Sequence, residues 1–280
     1  MRLPDFLLIG AMKCGTSTLA AQLGAQPGVF MSSPKEPEFF SEDAHFARGI
    51  GWYAGLFAAA PEGALLGEAS TGYTKLPTHP EASARIAAAL PEVRLIYMIR
   101  DPLARLVSHY IHEWTMGVIR SDLATALESH PELIDYGRYG HQIAPYVARF
   151  GAERVLLLTL EEMRAEPQAV LERVAGFLGA PQPVVWRAEM AQVNASAERI
   201  RRLPFHDLLI EHPLTTALRR ALVPAGLRRR IREARQMSAR PELPEADRAR
   251  LVALYAEDRA QLEALFPGRE DLGRCYPFLR

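Results

Sequence analysis

A glycine-containing turn near the N-terminus carries the residue types that bind a phosphate group. It reads GAMKCGTST, from Gly10 to Thr18, and it follows the apolar run 6–9. The run predicts a buried parallel strand, and the residues after Gly15 predict a helix. Backbone N–H groups at a helix start attract an anion, because the helix dipole is positive there. A glycine turn alone would serve equally as a plain connection, but four polar side chains favour a phosphate site: Lys13, Thr16, Ser17 and Thr18.

The turn differs from the loop that binds nucleoside triphosphates. That loop has the pattern G-x-x-x-x-G-K-[ST], and alignment on Gly10 and Gly15 puts Thr16 where its lysine stands. The lysine here is Lys13, earlier in the turn. We also find no strand pattern that ends in an aspartate for a magnesium site. A P-loop nucleotide kinase or phosphotransferase is therefore the disfavoured alternative.

An arginine and a serine indicate a second anion-binding point. Residues 93–99 predict another parallel strand, and Arg100 follows it directly, where open α/β sheets bind ligands. Ser108 lies eight residues on, two turns into the predicted next helix, on a face that Arg100 can overlook. A guanidinium fork with a hydroxyl suits a phosphate dianion. The simpler alternative is an arginine at the strand edge that pairs with Asp101.

Strand and helix patterns alternate along the first two thirds of the chain. Apolar runs predict strands at 6–9, 29–31, 64–67, 93–99 and 155–159. Periodic segments predict helices at 16–23, 80–90, 103–114, 139–150 and 167–178, and residues 32–48 predict a loop. The alternation predicts an α/β fold with a P-loop-like parallel sheet flanked by helices on both faces.

The pattern changes near residue 195. Residues 199–235 are arginine-rich and predicted helical, and residues 245–266 predict a long helix with one apolar face. We therefore predict a single domain over residues 1–280 with a helical C-terminal portion from about residue 195. The stretch 219–235 holds seven arginines in 17 residues. It predicts either a solvated helix face or peripheral contact with an anionic acceptor or membrane lipid.

The composition limits the function classes. The 280 residues include 33 basic and 33 acidic ones, so no net field favours nucleic acid or a membrane. Two cysteines do not make a disulfide framework, and no apolar run reaches the roughly 18 residues of a membrane span. The short apolar N-terminal stretch runs into the lysine-bearing turn rather than a cleavage site. We expect a cytoplasmic protein without a nucleic-acid partner.

Five segments in this order resemble the PAPS-dependent sulfotransferases, where PAPS is 3′-phosphoadenosine 5′-phosphosulfate. They are KCGT at 13–16, KEPEFFS at 35–41 with its continuation GIGWYAGLF at 49–57, GEASTGY at 67–73, RDP at 100–102 with Ser108, and the stretch 139–179. The likeness covers about residues 5–180. It is closest to the branch that contains the heparan sulfate sulfotransferases and their bacterial relatives.

The resemblance implies a role for each matching residue. Arg100 and Ser108 hold the 3′-phosphate of PAPS, and Glu36 is the general base that takes a proton from a hydroxyl or amine acceptor. The acceptor is a saccharide or a small molecule. Glu38, two residues on, is expected to face away from the acceptor. Lys13 also stabilises the negative charge on the leaving group. The 5′-phosphosulfate is held by the first segment and the helix start, that is, by Lys13, Cys14, Gly15, Thr16, Ser17 and Thr18.

No metal is expected in the reaction, since the eight histidines show no ligand spacing. His109 and His112, on the helix after Arg100, are predicted to be structural or surface residues. Together with His79 they are the alternative candidates for the base.

The chain departs from the family pattern in two places. Thr71 and Gly72 stand where the family often has Ser/Thr-Pro. The basic loop near the C-terminus that often completes the 3′-phosphate site has no clear counterpart, and Arg201 and Arg202 are the candidates for it. A non-catalytic nucleotide-binding module is the second alternative function, and it would need no base such as Glu36.

Overall fold

Five parallel strands form the central sheet of the protein. The computed structural model describes residues 1–192, 237 and 239–279. The strands are β1 (Phe6–Gly10), β2 (Val29–Met31), β3 (Leu65–Ala69), β4 (Arg94–Ile99) and β5 (Val155–Thr159). The order in the sheet is β2-β3-β1-β4-β5, and the four pairings between these strands are all parallel. β1 therefore lies in the centre, between β3 and β4.

Helices connect the strands and pack against the sheet in two layers. The helices before residue 193 are α1 (Thr16–Gly24), α2 (Asp43–Phe46), α3 (Gly49–Gly55), α4 (Ala82–Ala89), α5 (Pro102–Met116), α6 (Leu123–Ser129), α7 (Glu132–Asp135), α8 (Tyr139–Phe150), α9 (Leu160–Ala165) and α10 (Pro167–Leu178). α1 packs with α10, whereas α8 packs with α4 and with the C-terminal helix, Glu245–Leu265.

Local sequence signals set the start of α5. The carboxylate of Asp101 accepts hydrogen bonds from the N–H groups of Leu103 and Ala104, at 2.9 and 3.2 Å. Pro102 occupies the first helical position, where a missing N–H costs no hydrogen bond. Asp101 therefore serves as a helix cap.

An aromatic cluster beside β3 anchors the segment KEPEFFS. The side chains of Phe39 and Phe40 are 1% and 0% exposed. The ring of Phe39 stacks on that of Tyr53 with centroids 4.5 Å apart, and Phe40 meets Phe39 edge-on at 4.9 Å. Burial of two neighbouring rings fixes the chain around them, because each ring removes a large apolar area from water.

The predicted α/β fold, a parallel sheet flanked by helices, is confirmed. The predicted loop over residues 32–48 contains the short helix α2, and α3, α6, α7 and α9 have no counterpart in the sequence prediction. Helices of four to seven residues show too few turns for a periodic pattern. The predicted helix at 199–235 and the candidates Arg201 and Arg202 lie outside the described residues. Within the described ranges, no helix is long and apolar enough to cross a membrane.

Candidate active site

The C-terminal ends of β1, β3 and β4 meet at one cavity of about 610 Å³. The chain leaves the central strand β1 toward β2 on one side and later crosses to β4 on the other. Such a change of direction opens a crevice at the carboxyl ends of the strands, where α/β sheets bind ligands. The cavity is lined by Met12, Lys13, Gly15, Thr16, Ser17, Thr18, Glu36, Thr71, Arg100, Ser108, His112, Leu160, Met163, Arg164, Pro167 and Trp186.

The turn between β1 and α1 forms one wall of this cavity. Lys13 and Gly15 adopt left-handed backbone conformations, with φ of 67° and 88°. A Cβ atom on residue 15 would lie 2.8 Å from Cδ1 of Leu160, so glycine suits both the turn and the cavity wall. The structure brings together the polar residues predicted to hold the phosphosulfate, since all of them line the cavity: Lys13, Thr16, Ser17 and Thr18.

Cys14 differs from its neighbours because its side chain points into the core. It is fully buried, and its Sγ lies 3.5 Å from the hydroxyl oxygen of Tyr139. Burial raises the pKa of the Cys14 thiol to about 11, so the thiol stays protonated at neutral pH. Its backbone N–H donates to the carbonyl of Ala11 at 3.2 Å. Cys14 was predicted with the nucleotide-binding residues, and the structure corrects this for its side chain, which packs in the core.

Arg100 and Ser108 line the same cavity, as the sequence predicts. Nη1 of Arg100 donates to the carbonyl of Lys13 at 3.2 Å, which ties the end of β4 to the phosphate-binding turn. Nε of Arg100 is buried and has no hydrogen-bond partner within the described residues. A buried donor of this kind is costly unless a ligand satisfies it.

Two histidines on α5 have different environments. His112 lies one turn after Ser108 and lines the cavity with it. His109 is buried instead, and its ring stacks on Tyr136 with centroids 5.5 Å apart. Burial lowers the pKa of His109 to about 4, so its imidazole is neutral at physiological pH. His109 is therefore structural, as predicted, whereas His112 faces the site.

Glu36 reaches the cavity from the loop after β2, and both of its carboxylate oxygens have partners. Oε1 accepts from Nζ of Lys35 at 2.7 Å, and Oε2 accepts from the hydroxyl of Thr71 at 3.2 Å. Lys35 also donates to Oγ of Ser17 at 2.8 Å, so one ammonium group joins the carboxylate to α1. Each carboxylate oxygen has more than one lone pair, so Glu36 can still accept a proton.

Glu38 is bound to the protein instead. Its carboxylate accepts from the N–H of Gly72 at 3.1 Å and from the hydroxyl of Ser41 at 2.5 Å. A Cβ atom on residue 72 would lie 1.8 Å from Oε2 of Glu38, so a larger residue there would displace the Glu38 carboxylate. Glu36 and Glu38 have φ of 54° and 51°, so the segment is not extended. An extended segment would place residues 36 and 38 on the same side, so the left-handed conformation of both residues is what gives the two glutamates the separate environments expected of them.

A buried glutamate on β3 supports this loop. Glu68 is 0% exposed, and its Oε2 accepts hydrogen bonds from the hydroxyls of Tyr53 and Tyr73 at 2.8 and 2.7 Å. Loss of water raises the pKa of Glu68 to about 7, and nearby hydroxyls offset only part of this. Ser70, two residues on, accepts the N–H of Glu38 at 3.1 Å. The end of β3 therefore holds the loop that carries Glu36.

The residues at the site that were not among the predicted ligands include Lys35, Thr71, His112, Arg164 and Trp186. Lys35 and Thr71 lie within the family-like segments KEPEFFS and GEASTGY, so a signal existed for both. His112 follows Ser108 at helical spacing. Trp186 lies outside every predicted element, and its approach to the cavity follows from tertiary contacts alone.

The chain belongs to the sulfotransferase family. The family's sulfotransferase domain matches residues 3–203, which confirms the predicted family. Mouse heparan sulfate glucosamine 3-O-sulfotransferase 3A1 is 29% identical over 187 residues, covering 64% of this chain and 46% of that protein. The Caenorhabditis elegans bifunctional heparan sulfate N-deacetylase/N-sulfotransferase 1 is 24% identical over 197 residues, covering 64% and 22%. The chain thus spans about half, or less, of the length of these curated relatives.

Solved structures share the fold. A sulfotransferase from Alicyclobacillus acidocaldarius superposes with a TM-score of 0.68 at 22% identity, covering 98% of this chain and 100% of that one. Mouse sulfotransferase SULT7A1, solved in complex with PAP, gives a TM-score of 0.55 at 17% identity, covering 100% and 90%. At these identities the likeness shows the fold alone.

Proposed function

We propose that this protein transfers the sulfuryl group of PAPS to a hydroxyl or amine of an acceptor. The observation that carries the proposal is the meeting, in one cavity, of the phosphate-binding turn, Arg100 with Ser108, and the carboxylate of Glu36. The turn and the pair Arg100 and Ser108 suit the two phosphate-bearing ends of PAPS, and the Glu36 carboxylate suits an acceptor that must lose a proton. A non-catalytic nucleotide-binding module has no need of such a carboxylate.

The anion-binding groups fit a nucleotide with phosphates at both 5′ and 3′ positions. The N-terminus of α1 and the hydroxyls of Thr16 and Ser17 suit the 5′-phosphosulfate, because the helix start is positive and the hydroxyls donate. Arg100 and Ser108 suit the 3′-phosphate. The buried and unsatisfied Nε of Arg100 is a donor that such a phosphate can satisfy.

Transfer requires the acceptor oxygen or nitrogen to attack sulfur while the bridging oxygen of PAPS leaves. A new bond forms from acceptor to sulfur, the bond from sulfur to the bridging oxygen breaks, and its electron pair departs with adenosine 3′,5′-bisphosphate. Glu36 takes the acceptor proton. Lys13 stabilises the negative charge on the departing phosphate oxygen, in the way that a fixed cation stabilises any developing anion.

The acceptor is proposed to be a saccharide or a small molecule. The curated relatives are named for glucosamine and heparan sulfate. Lys35 and Thr71 fix the orientation of the Glu36 carboxylate, so the acceptor must present its hydroxyl or amine from the open side of the cavity. Incubation of the protein with PAPS and a panel of acceptors, followed by mass spectrometry of the sulfated products, identifies the acceptors that meet this requirement.

Calorimetry with two nucleotides tests the cofactor assignment. Native protein should bind adenosine 3′,5′-bisphosphate more tightly than 5′-AMP, because only the first carries the phosphate that Arg100 and Ser108 would hold. Arg100→Ala should remove about 1.5–3 kcal/mol of that preference, the contribution of a hydrogen bond to a charged group. Arg94→Ala, at the opposite end of β4, is the matched control and should keep it. Equal affinity of native protein for both nucleotides would refute the assignment.

A further inference from the structure

Lys35 joins the two sides of the cavity on which the proposed reaction depends. Its Nζ donates to Oγ of Ser17 at 2.8 Å and to Oε1 of Glu36 at 2.7 Å. Ser17 lies in the first turn of α1, beside the phosphate-binding turn, whereas Glu36 lies on the loop after β2. One ammonium group therefore contacts both a side chain proposed to hold the donor and the carboxylate proposed to take the acceptor proton.

The backbone on either side of Lys35 is fixed to the end of β3. The N–H of Ser32 donates to the carbonyl of Gly67 at 2.9 Å, and the N–H of Glu36 donates to the carbonyl of Ala69 at 3.1 Å. The side chain of Lys35 is 45% exposed. Its ammonium group can therefore change partners on a flexible four-carbon stem while its backbone stays in place.

The group that is transferred must lie close to this ammonium. In an in-line transfer the sulfur lies between the leaving oxygen, held at the phosphate-binding turn, and the acceptor atom, which meets Glu36. The sulfuryl oxygens therefore lie between Ser17 and Glu36, the two partners of Lys35. A ligand oxygen bound by the Ser17 hydroxyl would lie about 4.5 Å from Nζ, because both atoms would bond the same Oγ. A lysine side chain covers that distance by a change of rotamer.

The charges at the site favour a cation at this point. The sulfuryl oxygens of PAPS are negative, and the carboxylate of Glu36 must approach them to reach the acceptor. Two like charges at short range repel each other, and a cation between them offsets the repulsion. Lys13 is assigned to the leaving oxygen and Arg100 to the 3′-phosphate, so Lys35 is the cation placed for this purpose.

We propose that Lys35 is a catalytic residue that binds the sulfuryl group of PAPS during transfer. The proposal rests on the proposed function, because it needs PAPS in this cavity. When PAPS binds, the ammonium exchanges Oε1 of Glu36 for a sulfuryl oxygen, which leaves Oε1 open to the acceptor proton. Lys35 itself forms no covalent bond and takes no proton. The acceptor proton goes to Glu36, and the electron pair of the broken bond leaves with adenosine 3′,5′-bisphosphate.

Calorimetry with PAPS and with adenosine 3′,5′-bisphosphate, both without acceptor, tests the contact, because only PAPS carries the sulfuryl group. Lys35→Met removes the charge and keeps an unbranched side chain. It should weaken PAPS binding by about 10- to 100-fold, the contribution of a hydrogen bond to a charged group, and change the affinity for adenosine 3′,5′-bisphosphate by less than about threefold. Lys35→Arg keeps the charge and should retain most of the affinity for PAPS.

Thr71→Val separates the sulfuryl contact from the orientation of the base. It removes the hydroxyl that donates to Oε2 of Glu36 at 3.2 Å and keeps the shape of the side chain. Turnover should fall in both Thr71→Val and Lys35→Met, but only Lys35→Met should change the ratio of the two nucleotide affinities. Lys75→Met is the control and should change neither quantity, because Lys75 does not line the cavity. Lower turnover in Lys35→Met with a native affinity ratio would overturn the proposal, since Lys35 would then only orient Glu36.

The proposed function and the sulfuryl contact fail in different ways. If native protein binds neither PAPS nor adenosine 3′,5′-bisphosphate, both are wrong. If native protein binds both nucleotides and sulfates an acceptor, and Lys35→Met weakens the binding of both equally or of neither, the contact of Lys35 with the sulfuryl group alone is wrong.

Discussion

Three non-glycine residues of the described chain adopt left-handed backbone conformations, and all three lie in the segments that meet at the cavity. They are Lys13, Glu36 and Glu38, with φ of 67°, 54° and 51°. Each costs on the order of 1–3 kcal/mol, so the surrounding contacts must hold it in place. The bonds of Glu38 to Gly72 and Ser41 are contacts of this kind. At Lys13 and Glu36 the strained backbone directs a charged side chain to the cavity.

At the residue scale, the sharpest prediction concerns the base. Glu36→Gln keeps the shape of the side chain and one acceptor oxygen but takes up no proton. Turnover should fall by about 10²–10⁴, as expected for lost general-base catalysis, while nucleotide affinity stays near native. Steady-state kinetics together with calorimetry measures both quantities.

Glu38→Gln is the matched control for Glu36→Gln. Its amide oxygen can still accept the N–H of Gly72, so the loop should persist and the variant should remain active. If Glu38→Gln is inactive and Glu36→Gln is active, the assignment of the two glutamates is reversed. If both variants are active, the base lies elsewhere, and His112 becomes the next candidate because it lines the cavity.

The second prediction at the residue scale concerns Lys13. Lys13→Ala should lower turnover by about 10²–10³ and weaken adenosine 3′,5′-bisphosphate binding much less, because the charge of Lys13 matters most as the leaving group becomes anionic. Lys75→Ala is the control among the three lysines, since Lys75 lies near the ring of Tyr136 and does not line the cavity. Unchanged turnover in Lys13→Ala would remove this residue from the mechanism.

At the element scale, the buried Glu68 on β3 should make the free energy of unfolding depend on pH. Burial raises the pKa of Glu68 from 4.5 to about 7, so the folded protein keeps a proton that the unfolded chain has released between these values. The stabilising contribution is complete below about pH 4.5 and is lost as pH rises through about 7. The loss amounts to roughly 3 kcal/mol at most.

Glu68→Gln isolates this effect, because an amide does not titrate. We expect the free energy of unfolding of native protein to fall relative to that of Glu68→Gln between about pH 5 and pH 8. Denaturant titrations at both pH values measure the difference. Glu62→Gln, exposed on the loop before β3, should show a constant difference from native protein. A constant difference for Glu68→Gln as well would mean that Glu68 is ionised in the folded protein.

At the scale of the whole molecule, the cationic groups of the cavity are expected to make a metal ion unnecessary. Lys13 and Arg100 supply the positive charge that magnesium supplies in phosphoryl transfer from a triphosphate. Sulfuryl transfer from PAPS should therefore continue in excess EDTA at its untreated rate. Among the described residues, no group of three or more His, Cys, Asp and Glu side chains could hold a metal.

The control for the EDTA experiment is a magnesium-dependent kinase in the same buffer, which EDTA should stop. Loss of sulfuryl transfer on chelation, with recovery on addition of magnesium, would favour the kinase or phosphotransferase alternative.

The domain prediction and the two interpretations of residues 219–235 stay predictions, since that stretch lies outside the described residues.

Local sequence patterns were sufficient for the fold and for the polar wall of the cavity. The strands β1, β2, β4 and β5 and the helices α5, α8 and α10 lie within about two residues of their predicted positions. Buried parallel strands are short apolar runs, and Asp101, Pro102 and Gly179 mark helix ends by local chemistry. Arg100 and the turn at Lys13 could be placed together because parallel strands end at one edge of a sheet.

The partners of the side chains at the site were decided by the tertiary structure alone. Glu36 binds Thr71 across 35 positions, and Gln22 binds Arg187 across 165. No periodicity or motif spacing encodes contacts over such distances, because they depend on how elements pack after the sheet has formed. The same reason applies to Cys14, which its motif assigned to the ligand and which the packing of Tyr139 directs into the core. The sequence alone predicted polar residues that line the cavity, such as Lys13 and Arg100, whereas the packing of distant elements decided their partners and brought Trp186 to the same cavity.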